Sequence, residues 1–372
     1  WKQLKLKHQG LDMNKVKWDQ RISLYHHNQK ALKALTDQSL IDNILTTERF
    51  QGWGDSCTIH INGKSVFVKL IPLTELERAH PDSTANLFNL PLYYQYGVGS
   101  AGFGANRELK SHQKTSQWVL SQENPNFPLL YHNRVLKLDK TDRKVFDEQA
   151  HQEYLKAWNN SPEIDAYIRG RHETPYYIAL FLEHIPYVLG HGDWFANRTH
   201  RIKELNRTLQ STIQFLQQQD IRHFDLHFHN VITDGDDFYI TDSGLTIDKS
   251  FDLSKAELEF FDNHPNYDFA TYLTSTAWHL GYLYETADTR VQANIDQSIG
   301  TSLEQSFPVL LSLLLRNKET VSRLGLEIDH TYSDHLEKYL PTMTVFNDSI
   351  RHLIENRKDL GRYPSMPELN RT

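Results

Sequence analysis

The tightest constraint on this chain lies past its middle, in His223-Phe-Asp-Leu-His-Phe-His-Asn230, which runs on into Val231-Ile-Thr-Asp-Gly-Asp-Asp-Phe-Tyr-Ile-Thr-Asp-Ser-Gly244. Asp234-Gly235 is a turn signal between two short β-prone runs, so the second part reads as a hairpin ending at Asp242. Asp225 and Asn230 stand in the loop before it. Such a loop offers one carboxylate to orient a hydroxyl, while Asn230 and Asp242 offer oxygen donors for hard cations. Phosphoryl transfer needs those parts, because its catalysis is mostly positioning and charge stabilisation.

The same residues admit a rival reading. His223, Asp225, His227 and His229 alternate, so in an extended strand all four would share one face, as the ligands of a zinc or iron hydrolase could. That leaves the hairpin and Asp242 unexplained, and no second His/Asp cluster of similar density follows.

The stretch resembles the catalytic loop and metal-binding segment of the protein-kinase-like superfamily, H-x-D-x-x-x-x-N followed after a hairpin by D-x-G. His223, Asp225, Asn230, Asp242 and Gly244 fall on that pattern. The resemblance implies an α+β, bilobal protein-kinase-like fold with a small β-rich N-lobe and a larger helical C-lobe. It also implies a kinase that uses ATP and Mg2+ and transfers a phosphoryl group to an alcohol. Asp225 would be the catalytic acid–base group, and Asn230 and Asp242 the Mg2+ ligands.

Upstream, residues 58–61 and 65–71 are strand-like runs around Asn62-Gly63, a strong hairpin signal. A glycine-containing turn, Gly52-Trp53-Gly54, opens this meander and could let backbone N–H groups approach phosphate oxygens, although Cys57 replaces the family's third glycine. By the resemblance Lys69 would contact the α- and β-phosphates, and Glu108, chosen over Glu75 and Glu77, would position that lysine. The buried run ending at Glu183-His-Ile185 would be the hinge, Glu183 and Ile185 meeting the adenine edge through their main chain. Residues 81–104 are an insertion relative to the family. Its glycines, Gly97-Val-Gly-Ser-Ala-Gly-Phe-Gly104, read as a surface loop, with a mobile flap or a competing phosphate cradle as alternatives.

The rest divides into an N-terminal extension with a helix (1–44), a nucleotide-binding N-lobe with insertions (45–183) and a helical catalytic C-lobe (184–372). Residues 1–24 are basic and read as a solvated segment, followed by a short helix over 28–44. Residues 127–138 read as strand, turn, strand, with His132-Asn133 as the turn, and residues 202–219 as an amphipathic helix leading into the loop. Asp268 opens a further helix and could brace the loop's backbone. Phe224 occupies the place of the arginine that pairs with a phosphorylated activation segment in regulated kinases, so phosphate-gated ordering is not expected. His227 stands where aminoglycoside and choline kinases often carry histidine.

Composition narrows the setting. The chain has 372 residues, 39% of them hydrophobic, enough for two lobes. A net charge of −7 argues against a nucleic-acid partner. Cys57 is the only cysteine, which precludes an intramolecular disulfide and suits a reducing, cytoplasmic setting. No run is apolar enough for a membrane span, residues 307–315 reading as a buried helix. The expected partners are ATP and a protein substrate of a bacterial Ser/Thr-type kinase, or else a small hydroxyl-bearing acceptor. A nucleotide-binding pseudokinase scaffold remains a further alternative.

Overall fold

The computed structural model describes residues 2–97, 99–191 and 193–356. It is a mixed α/β structure with a small antiparallel sheet in the first half and helices dominating the second. Two units emerge: Trp1–Ala79 with Leu109–Phe146 and Arg169–His184, and His80–Glu108 with Asp147–Ile168 and Ile185–Thr372.

The first unit is built on a five-stranded antiparallel sheet. Its strands are β1 (Phe50–Gln51), β2 (Asp55–Ile61), β3 (Lys64–Pro72), β4 (Leu130–Lys137) and β5 (Tyr176–Glu183), in the order β1-β2-β3-β5-β4. Asn62 and Gly63 both take positive φ, 49° and 76°, the geometry a two-residue hairpin turn demands, and they join β2 to β3 as their sequence predicts. β5 is the most apolar strand and sits between β3 and β4, buried along almost its whole length. Residues 127–138 do not form a hairpin. His132 and Asn133 lie within β4, which pairs with β5 throughout, and the irregularity there is a register shift between Leu130 and His132.

Two helices precede the sheet. Instead of one short helix over 28–44, α1 (Lys2–Ala34) runs on continuously from the basic stretch and α2 (Asp37–Leu45) starts afresh. Thr36 causes the restart: its hydroxyl accepts the Ser39 N–H at 3.1 Å, an N-cap followed by Asp37 in the first turn. Leu32 from α1 and Leu40 and Ile44 from α2 are fully buried. Within the basic stretch Arg21 is largely removed from solvent. It grips both carboxylate oxygens of Glu183, at 2.7 Å from Nε and 2.7 Å from Nη2, and donates to the carbonyls of Pro125 and Phe127.

The helices that follow in chain order are α3 (Glu75–Ala79), α4 (Ala105–Leu120), α5 (Glu148–Ala157), α6 (Pro162–Glu173), α7 (Asp193–Ala196), α8 (Ile202–Gln218), α9 (Lys255–Asp262), α10 (Tyr267–Glu285), α11 (Thr289–Ile299), α12 (Phe307–Arg316), α13 (Lys318–Arg323) and α14 (His330–Glu355). Within the second unit, α10 packs on α12 and α14, and α8 buries Leu205, Leu209, Ile213 and Leu216 along one face. Small ladders finish the unit: β6 (Tyr187–Val188), β8 (Val231–Thr233) and β9 (Phe238–Ile240) in the order β6-β8-β9, and β7 (Ile221–Arg222) with β10 (Ile247–Asp248). Among the described residues no helix is long and apolar enough to cross a membrane.

Candidate functional site

The loop between β7 and β8 is held in a conformation its residues would not choose alone. Phe224 has φ of 63°, a region that costs a bulky side chain about 1–3 kcal/mol and persists only where the surroundings enforce it. Asp268, in the first turn of α10, supplies the enforcement: its carboxylate accepts the N–H groups of His223 and Phe224, both at 2.8 Å. The bracing role expected of Asp268 is therefore present. The Phe224 ring is buried against Phe260, His264 and Tyr267.

His223 closes the loop from the other side. Its Nε2 donates to Thr241 O at 3.0 Å, which leaves Nδ1 to accept the Asp225 N–H at 3.3 Å. Asn230 then donates its Nδ2 to Asp225 O at 2.8 Å and to Asp225 Oδ2 at 3.0 Å. Asp225 and Asn230 are thus brought together, and the amide is oriented so that its oxygen is the group not used in this contact.

Beyond the loop, β8 and β9 form the expected hairpin. Asp234 accepts the N–H groups of Asp236 and Asp237 at 3.0 and 2.9 Å, so these acids serve the turn. The hairpin delivers Asp242, itself at φ of 60°, whose Oδ1 accepts the Gly244 N–H at 3.3 Å. A Cβ on Gly244 would lie 3.4 Å from both Asp242 Oδ1 and Glu108 Oε2, so the two carboxylates flank this glycine. Glu108, in the first turn of α4, is buried.

His227 borders the same group, with Nε2 3.3 Å from Asp225 Oδ1. Burial opposes charge on its ring, but the Asp225 hydrogen bond and the charges of Asp225 and Asp242 outweigh it, and the pKa is raised. The histidines do not act as a ligand row. The chain at 228–230 is a 3-10 turn rather than a strand, His223 is committed to Thr241, and His229 is exposed with its ring against Gly190. Among the described residues no group of three or more His, Cys, Asp or Glu could hold a metal ion, and the hydrolase reading has no geometric support.

The insertion is not a surface loop. Tyr94, Gln95, Tyr96, Ser100 and Phe103 are buried in the second unit. A Cβ on Gly97 would meet Asp225 Oδ1 at 3.0 Å, and one on Gly102 would meet Gly244 O at 2.6 Å. The segment also fixes the chain that follows Asp242. Thr84 and Asp252 exchange hydrogen bonds of 2.8 to 3.0 Å, and Arg107 donates to Thr84 O at 2.6 Å and pairs with Glu257 at 2.7 Å, both side chains almost fully buried.

The other candidates, Ile185 excepted, belong to the first unit. Lys69 lies on β3, in register with Ser56 and Leu180. The Gly52-Trp53-Gly54 turn connects β1 to β2. A Cβ on Gly54 would lie 2.5 Å from Leu70 O, and Arg171 Nη2 donates to Trp53 O. Cys57 is buried on β2, and burial pushes its thiol up to about 11. Glu183 gives its carboxylate to Arg21 and the Leu129 N–H, and its own N–H to Leu129 O at 2.8 Å. Ile185 follows in the second unit. Glu77 is taken by a local capping arrangement with Thr74, and Glu75 pairs with Arg78.

Sequence reasoning missed Thr84, Gln95 and Arg107. Only Arg107 left a signal, as a charge beside Glu108 at the start of a helix whose buried face is polar. No family model matches the chain, and no curated protein matches it.

Proposed function

We propose that the chain is an ATP- and Mg2+-dependent phosphotransferase of bilobal protein-kinase-like architecture. The first unit is its nucleotide-binding lobe and the second its catalytic lobe, acting on a hydroxyl of a protein in the manner of a bacterial Ser/Thr kinase. The observation that carries the reading is the Asp225–Asn230 pair, held on a strained loop by Asp268, with Asp242 delivered by the adjoining hairpin. A fold spends backbone strain and a buried carboxylate in this way where atoms must be placed accurately.

The donor set fits a hard cation: Asn230, oriented by its bonds to Asp225, presents an amide oxygen, and Asp242 presents a carboxylate. Asn230 and Asp242 would hold the Mg2+, which would supply positive charge to offset that of the phosphates. Asp225 orients the acceptor hydroxyl and takes its proton. In the first unit Lys69 and the Gly52-Trp53-Gly54 turn bind phosphates. With the Glu183 N–H committed to Leu129, main-chain recognition of the base falls to the Glu183 carbonyl and to Ile185. On the resemblance alone, Glu108 would position Lys69.

γ-labelled ATP and the pure chain, with and without cell lysate, test this. Asp225→Ala should lower turnover by about 10²–10⁴-fold while Mg-ATP binding persists. Unchanged turnover in that variant would sink the assignment, and binding without turnover in the wild type would make the chain a scaffold. The contact between His227 and Asp225 favours a second reading, a small-molecule kinase. Label recovered on a metabolite rather than a protein would select it.

A further inference from the structure

Asp225 is confined by a residue remote from it in sequence. Gly97 follows a 3-10 turn, Leu92–Tyr96, and holds φ of 74°; a Cβ there would lie 3.0 Å from Asp225 Oδ1 and 2.8 Å from Leu245 Cδ1. Gly99 has the same left-handed backbone, φ of 83°, yet a Cβ on it would meet nothing within 4 Å. Both positions need a glycine's conformational freedom. Only at Gly97 would an added Cβ also crowd the carboxylate, which would have to give by a few tenths of an ångström.

The turn carrying Gly97 is not free to yield. Gln95 Nε2 donates to Leu245 O, the Tyr96 hydroxyl pairs with His264 Nε2 at 2.8 Å, and the Tyr267 hydroxyl donates to Tyr96 O at 3.1 Å. Asp225 is therefore enclosed from three directions: by Asn230 on Oδ2, by His227 at 3.3 Å on Oδ1, and by the Gly97 backbone beside that same oxygen.

We propose that Gly97 is a positioning residue: its bare backbone walls the Asp225 carboxylate, fixing the orientation of Oδ1 toward the acceptor and admitting a hydroxyl arm with no bulk on that side. This rests on the phosphotransferase reading of Asp225. It gives the insertion a task, because the turn that ends at Gly97 then supplies part of the acceptor site rather than ornamenting the surface.

The two glycines make a matched test in the full chain. Gly97→Ala and Gly99→Ala incur the same left-handed backbone penalty, but only the first adds a carbon against the carboxylate. Gly97→Ala should lower kcat by about tenfold or more with the KM for ATP nearly unchanged, since small misplacements of a catalytic group cost rate rather than nucleotide affinity. Gly99→Ala should stay within about twofold of wild type. In thermal unfolding Gly97→Ala should lose more stability than Gly99→Ala, and adding Asp225→Ala should narrow that gap. Equal effects of the two substitutions, on a chain whose turnover Asp225→Ala abolishes, would overturn the positioning role and leave the phosphotransferase reading standing. A wild-type chain with no ATP turnover would overturn both.

Discussion

Two glycine turns look alike in the sequence and differ in what they approach. Gly52-Trp53-Gly54 folds over its own sheet: a Cβ on Gly54 would strike Leu70 O at 2.5 Å, and one on Gly52 would meet only Gly54 O at 3.4 Å. In the insertion, Gly97 and Gly102 instead face Asp225 and Gly244, residues more than a hundred positions away. A glycine states that a side chain is unwelcome, and only the folded chain states who objects. One turn shapes a local meander, and the other binds the insertion to the loop that carries Asp225.

That contrast breaks most visibly at the insertion's anchor. Arg107→Met leaves Glu257 buried without its guanidinium and should cost about 3–5 kcal/mol in denaturant unfolding, as removal of one partner of a buried pair does. A loss near zero would return residues 80–108 to the status of a surface loop. Next in size, Gly54→Ala forces a carbon onto the Leu70 carbonyl and should cost about 1–3 kcal/mol, against about 0.5 kcal/mol or less for Gly52→Ala. Equal losses would mean that the meander yields freely and the turn is not tied to β3.

The smallest effect is on the pH dependence of the second unit. Burial lowers His264 and His279 to about 4, with the Phe260 carbonyl partly opposing the shift at His264. Both are therefore neutral when folded, at a pH where the unfolded chain binds protons. The stability they contribute is complete above the ordinary histidine value near 6.5 and is lost as pH falls from there toward 4. His264 accepts from Tyr96 of the insertion and donates from Nδ1 to Phe260 O at 2.6 Å. In His264→Gln the acid limb of a stability–pH curve should be shallower by about one proton. An unchanged slope would mean that the ring titrates normally and that the Tyr96–His264 contact does not hold the insertion.

Much of the site's local structure was legible in the sequence. The Asn62-Gly63 turn, the hairpin after Asn230 and the helix ahead of the loop follow from short-range rules of turn chemistry and periodicity, whereas the brace from Asp268 spans 45 residues. Errors arose where a residue's partner lies far away in sequence. His132-Asn133 looked like a turn because its composition is polar, yet β5 on one side and a register shift keep it in a strand. Arg21 looked solvated because it lies in a basic stretch, and its partner Glu183 lies 162 residues on.

By itself the sequence determined the order of the elements and the set of chemical groups, because turns, caps and the 3.6 and 2.0 periodicities are encoded within a few neighbours. The tertiary structure decided which groups meet. It set Asn230 on Asp225, Asp268 under a strained Phe224, and the bare backbone of Gly97 beside the carboxylate. Contacts of that kind depend on chain closure over long separations, and no local pattern records where such a loop will close.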